Sequence, residues 1–399
     1  MTVNPEILMW ARNTAGLTAE QAAHALGFKD TRDRSATERL MALEAGAEEP
    51  SRTVLVRMSK AYRRGLIVFY LAEPPRTGDR GQDFRTVPGG TTPLYNPLVD
   101  ALIRDIRGRQ TTVRALLEET DPQPVNFTGS ASMNNPTGDL ANRIQERLGF
   151  SLDRFRRQAT VELAFSYLRE TIETAGVYVL LFGNLGSYHT NISVDVFRGF
   201  AIADPIAPFI VINDQDARQA WSFTALHEMA HLWLGATGLS GASVEARIER
   251  YCNDVAGEIL LPIAEIQTLA HVRRAPIDNV IAAVSTFADA RKISRVMVAY
   301  KLLRANLINE PTWRQVADHL RQEWLASRKR QEQEGDSGDS GGPSYYVVKR
   351  HRLGNALLDI IRRSLGEGII TYTKAAQVLG VKPRNVDPLV YGTLLEGGR

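Results

Sequence analysis

A chain of 399 residues that is 44% hydrophobic and 23% charged has the apolar material for a large core and the length for two or three domains. Its net charge of +3 is too small for a protein that coats nucleic acid, so any contact with phosphate must be local. Cys252 is the one cysteine, which excludes an intramolecular disulfide and a Cys-rich metal site. With no signal-like N-terminus and no run of about eighteen apolar residues, a cytoplasmic protein that does not enter a membrane is expected.

In chain order, residues 1–75 read as short helices broken by turns. NPEILMWARNTAG places Ile7, Leu8 and Ala11 on one face. LTAEQAAHALG begins at Thr18 as N-cap and stops at Gly27, with Ala22, Ala23 and Leu26 spaced for burial. SATERLMALEAG and SRTVLVRMSKAYRRGLIVFYL follow, the latter at a Pro50-Ser51 cap signal, and Pro74 and Pro75 then stop regular structure. Residues 76–175 form a helical connecting region, in which VELAFSYLRETIETAG is the clearest amphipathic stretch. After Gly176 the period shortens. VYVLLFG, ISVDVFRGFAIAD and PFIVIND are β-branched or aromatic runs bounded by Gly, Asn or Asp, and they predict a small sheet. Helical patterns resume at 216, giving a core over 176–270 and a smaller helical unit over 271–326. Residues 327–343, charged and then rich in Gly and Ser, read as a flexible linker, and 344–399 as a helical tail. The expected fold class is α+β, mostly helical.

The chemistry concentrates in TALHEMAHLWLG, residues 224–235. On an α-helix His227 and His231, four apart, aim their imidazoles from one face, and Glu228 comes within reach of a water on an ion held between them. Phe223, Leu226, Ala230 and Leu234 keep this helix buried, and a polar trio in such a helix needs a reason, because unpaired buried polar groups are costly. A hydrolytic zinc site takes three protein ligands and leaves a fourth position for water. GATGLSGASVEARIERYCNDVAGEILLP supplies a turn and a helix for the third. Ile248, Cys252, Val255 and Ile259 form its apolar stripe, and Arg247, Arg250, Asp254 and Glu258 its solvent-like side. Glu249, at the edge of the stripe, is the better ligand candidate, with Glu245 in reserve. Asn253, one turn on, could orient a ligand. Tyr188 and His189 are candidate donors to a developing oxyanion, or simply part of a surface turn. Arg198 could contact substrate or pair with a carboxylate such as Asp204.

HEMAH followed by IERYCNDVAGEILLP resembles the ImmA/IrrE zinc metallopeptidases, whose helix pair reads HExxH and then ExxxN. VFRGFAIADPIAPFIVIND is similar to the stretch before the metal helix in that family. LIVFYLAEPP and DFRTVP resemble the joint in members with an N-terminal helix-turn-helix of the XRE type. The likeness covers approximately residues 5–325 and departs at Tyr251 and Cys252, where many members have an acidic or alanine-rich pattern. It implies Zn2+ as cofactor, His227, His231 and Glu249 as its ligands, and Glu228 as the catalytic glutamate. The implied substrate is a transcriptional repressor of the XRE type, in stress response or mobile-element and defence control. Two other readings stand beside it: a transcription regulator or sensor whose zinc is structural, and a toxin or phage-defence effector protease.

Within the N-terminal part, helices over 18–26 and 35–45 lie where a helix-turn-helix would, although the link GFKDTRDRS is long for one. Thr37 and Arg39 are the candidate DNA contacts, with Glu38 between them and acids nearly balancing bases throughout. The segment either binds DNA or is a retained helical fold that grips a partner. Arg291, Lys292 and Arg295 in the smaller helical unit pose the same choice between phosphate contact and packing.

Overall fold

Short polar side chains decide where the first helices start. Asn4 accepts the Glu6 N–H ahead of the helix Pro5–Thr14. Thr18 and Gln21 form a reciprocal capping box ahead of Ala19–Ala25, and Ser35 with Glu38 repeats it ahead of Ala36–Glu44. Ser51 caps Arg52–Ala61, and a 3-10 turn, Leu66–Tyr70, follows. The faces so aligned bury Ile7, Leu8, Leu26, Leu40, Met58 and Phe69 together. The computed structural model describes residues 3–75, 97–120, 123–235, 242–335 and 344–396. They fall into two units. These helices belong to the first, which takes in Met1–Arg80, Gly89–Ile106 and Asn184–Ile192; the second takes in Gly81–Pro88, Arg107–Gly183 and Ser193–Arg399. The stretch DFRTVP lies outside the described residues.

The second unit is organised by a three-stranded sheet. β1 (Tyr178–Leu181), β2 (Gly199–Ile202) and β3 (Phe209–Ile212) lie in the order β1-β3-β2. β3 runs parallel to β1 and antiparallel to β2, with Tyr178 opposite Phe209 and Gly199 opposite Ile212. β1 and β3 are buried throughout, which is why they read as unbroken apolar runs. β2 is much shorter than ISVDVFRGFAIAD. The Ser193 carbonyl accepts the Val196 N–H and its hydroxyl accepts the Asp195 N–H, so this part of the run is a turn.

Helices Thr137–Leu148 and Val161–Thr174, expected in a connecting region, contribute Leu140, Ile144, Phe165 and Leu168 to the core that also holds the two helices of the metal centre. Further along, the helix Glu310–Gly335 runs into the expected linker. That expectation is corrected through Gly335, because Arg, Lys, Gln and Glu are good helix formers even without an apolar face; residues 336–343 lie outside the described residues.

The tail folds into helices Tyr345–Leu353, Asn355–Gly366, Tyr372–Leu379 and Val386–Glu396. It is anchored by one buried ion pair. Arg169, 3.0 Å from Glu173, donates to the carbonyls of Val179 in β1 and of His351 and Arg352 in the tail. Glu173 in turn accepts the N–H groups of Asn355 and Ala356. Gly354 between them has φ +79, and a Cβ there would lie 2.2 Å from Glu173 Oε1, so only glycine fits. Among the described residues no single helix is long and apolar enough to cross a membrane.

Candidate metal centre

The helix Arg218–Leu234 is buried from Ala220 to Trp233, so its polar residues are held inside the core. His227 and His231 are 0% and 2% exposed and project from one face, with ring centroids 4.7 Å apart. Alongside packs the helix Ala242–Leu260, with Cys252, Val255 and Ile259 fully buried as the stripe predicts. That packing turns Glu249, one step to the side of the stripe, toward the histidines. Its carboxylate oxygens lie 3.3 Å from His227 Nε2 and 3.2 Å from His231 Nε2, and the two Nε2 atoms are 3.0 Å apart.

These separations fit a single small divalent ion. A tetrahedral site with bonds of about 2.0–2.1 Å has edges of about 3.3 Å, and one donor atom from each of the three residues forms a cluster within 4.8 Å. Burial pushes the Glu249 carboxyl up, but hydrogen bonds and charge attraction from His227 and His231 outweigh it and hold the group well below the ordinary carboxylate range. That direction favours the carboxylate form, which is the form that ligates a metal.

Glu228 is 1% exposed and stands on a different face of the helix, one turn beyond Thr224. Both face β2 at Gly199. A Cβ on Gly199 would lie 2.5 Å from Thr224 Cγ2 and 2.9 Å from Glu228 Oε1, so the missing side chain lets the strand close on the glutamate. Gly199 is not among the expected site residues, yet a glycine inside a strand pattern is a known sign of close backbone approach.

Residues 185–303 match the family model Peptidase_M78, the IrrE N-terminal-like domain. The match spans β2, β3 and both helices of the metal centre but under a third of the chain, and it leaves residues 1–184 outside. It supports the ImmA/IrrE family and a peptidase-type function for this stretch. No curated protein and no solved structure matches the chain.

The other expected site residues of this IrrE-like stretch are placed as follows. Asn253 is half-buried on the helix of Glu249. The Glu245 side chain lies outside the described residues. Tyr188 and His189 fall in a 3-10 turn, Tyr188–Thr190, grouped with the first unit, whereas the metal cluster is in the second, and His189 is exposed. Arg198 pairs with Asp216 at 3.5 Å rather than with Asp204, which bonds Arg114 at 2.7 Å and caps Ile206 and Ala207.

The expected solvent side of Ala242–Leu260 holds at Arg247 and Arg250, which are exposed, and is corrected at Glu258 and Asp254. Glu258 meets Lys301, itself 6% exposed, at 2.7 Å, and Asp254 meets Arg304 at 2.7 Å. These partners lie on Arg295–Arg304 and grip the glutamate helix from behind. Arg291, Lys292 and Arg295, for which phosphate contact and packing were the two readings, all have partners within the chain. Arg291 pairs with Glu265, Lys292 donates to the Arg156 carbonyl, and Arg295 pairs with Asp289 and Glu323, so packing accounts for them. In the first unit Thr37 is half-buried, and Arg39 is exposed with its guanidinium 5.0 Å from the Phe28 ring centroid.

Proposed function

We propose that this chain is a zinc-dependent endopeptidase that cleaves a regulatory protein, an XRE-type transcriptional repressor being the substrate class its ImmA/IrrE resemblance implies. The observation that carries the reading is the convergence of two imidazoles and one carboxylate at tetrahedral spacing, with the buried Glu228 next to His227 on the same helix. His227, His231 and Glu249 would hold a divalent ion, which when bound would supply Lewis-acid polarisation of the scissile carbonyl and activation of the attacking water. Glu228 takes that water's proton on its carboxylate and delivers it to the leaving amine. The apolar helix around these groups excludes bulk water, which strengthens each charge interaction. Co-expression with a candidate repressor of the XRE type tests the reading. A discrete cut product is expected with the wild type and not with Glu228→Ala, and an uncut repressor in the presence of the metal-loaded wild type counts against it.

For the N-terminal unit we propose contact with a partner protein in preference to reading DNA. Helix N-termini attract phosphate, but the first turn of Ala36–Glu44 is already filled by acids. Asp30 accepts the Ala36 N–H at 2.7 Å, and Glu38 accepts the Ser35 N–H at 2.8 Å. A gel shift that responds to Thr37→Ala and Arg39→Ala would reverse this preference.

A further inference from the structure

The tail contains a second pair of helices joined by a turn, with more exposed bases than acids around that turn. Tyr372–Leu379 begins at Thr371, whose hydroxyl accepts the Lys374 N–H, and ends at Gly380 in the left-handed conformation, φ +63. A 3-10 turn at Pro383–Asn385 leads directly into Val386–Glu396. Ala375, Ala376 and Leu379 of the first helix and Val386 and Leu389 of the second are buried, and both helices pack on Asn355–Gly366. Small residues where two helices meet, a glycine at the turn and an apolar anchor on either side build a helix-turn-helix, whose second helix suits the major groove.

From Gly368 to Val386 the chain carries Lys374, Lys382 and Arg384 and no acid, and Asp387, in the first turn of the second helix, is engaged by the Tyr372 hydroxyl. All three are exposed, and among the described residues no carboxylate pairs with any of them. This separates them from Arg291, Lys292 and Arg295, which are spent on internal partners. Lys374 lies in the first helix, while Lys382 and Arg384 lie at the entry to the second, where this motif meets backbone and base edges. Arg109 donates to the Val378 carbonyl at 2.6 Å, which fixes the end of the first helix to the rest of the unit.

We propose that Tyr372–Leu379 and Val386–Glu396 form a surface for duplex DNA, engaged through Lys374, Lys382 and Arg384. The assignment is independent of the metal centre. Three phosphate contacts give a slope of log affinity against log salt of about −2.7, so affinity falls about 40-fold between about 50 and 200 mM salt.

The test is fluorescence anisotropy of the full chain with a labelled duplex of mixed sequence, beside the variant Lys374→Glu/Lys382→Glu/Arg384→Glu. The wild type is expected to bind at low salt with that slope. The variant is expected to bind on the order of tenfold more weakly or worse, with an unchanged melting temperature because all three side chains are exposed. Absence of duplex binding by the wild type at low salt overturns the proposal. So does equal binding by the variant, which locates the contact elsewhere, or a preference for single strands over duplex. Should the triple variant melt early, the single changes Lys382→Ala and Arg384→Ala are read instead, each expected to flatten the salt slope by about one; an unchanged slope in both overturns the proposal.

Discussion

Replacing Gly199 with alanine measures how closely β2 is held to the helix that carries Glu228. The added methyl would lie 2.5 Å from Thr224 Cγ2, 2.9 Å from Glu228 Oε1 and 3.1 Å from the Val211 carbonyl oxygen, whereas carbon contacts relax at about 3.5–4.0 Å. Neighbours on two elements must yield together. Thr224 cannot swing aside easily, because a β-branched side chain in a buried helix has few allowed rotamers. Overpacking of this kind costs about 1–3 kcal/mol, against which alanine regains roughly 0.5–1 kcal/mol of glycine's entropy penalty in a strand. The net loss lies between about zero and about 2.5 kcal/mol, a fall of as much as roughly 10 °C in Tm. Thr224→Ser deletes the nearest methyl, so in that background Gly199→Ala should cost about 1 kcal/mol less. The four proteins of this cycle are compared by thermal unfolding in chelator, which removes any contribution from bound metal. An identical cost of Gly199→Ala in both backgrounds refutes the close approach of strand and helix.

His227→Ala and Glu249→Gln should each abolish stoichiometric metal in elemental analysis, while Glu228→Ala retains it; loss in all three would mean that Glu228 is itself a ligand. Chelation should lower Tm of the wild type, since metal at 100 times its Kd adds about 2.7 kcal/mol, and should leave Glu249→Gln unmoved. Lys301→Met strands the Glu258 carboxylate, and because Glu258 is 27% exposed the expected loss is about 1–3 kcal/mol, below that of a fully buried pair. Urea titration reads it, and Lys301→Met/Glu258→Leu should recover most of the loss. In the first unit the Ser35 N–H, followed by its hydroxyl, holds the Glu38 carboxyl below its ordinary 4.5. A carboxylate lowered by folding stabilises above its unfolded value and loses that contribution as pH falls through the folded one. Glu38→Gln accepts the same N–H without titrating, so the stability gap between wild type and variant should shrink below about pH 4.5, a trend read by circular dichroism; a gap that widens in acid would contradict it.

The metal helix was legible because its signal is local. Two histidines four apart in an apolar run specify a shared face whatever surrounds them, and Glu249 stood out only by its place beside the stripe of the next helix. Caps at Thr18, Ser35 and Ser51 were legible for the same reason, since each acts on an amide three residues on. What escaped was pairwise and distant. Glu258 and Asp254 looked solvated because Lys301 and Arg304 lie more than forty residues away. Arg198 met a different acid from the one nearest in pattern. The end of ISVDV as a strand was hidden because its alternation is sound and only the Ser193 hydrogen bonds turn the chain.

The Arg169–Glu173 anchor carries a practical corollary for anyone trimming this molecule. Arg169 and Glu173 are 9% and 7% exposed at the side chain, and a chain cut after Gly335 would deprive the guanidinium of two of its three carbonyl acceptors and the carboxylate of both amide donors. The same cut uncovers the faces of β1 and of Val161–Thr174 on which Tyr345–Leu353 and Asn355–Gly366 pack, and newly exposed surface of that kind promotes aggregation. The smallest workable peptidase fragment is therefore expected to reach at least to Ala356, well past the end of the family match, and shorter ones to collect as inclusion bodies.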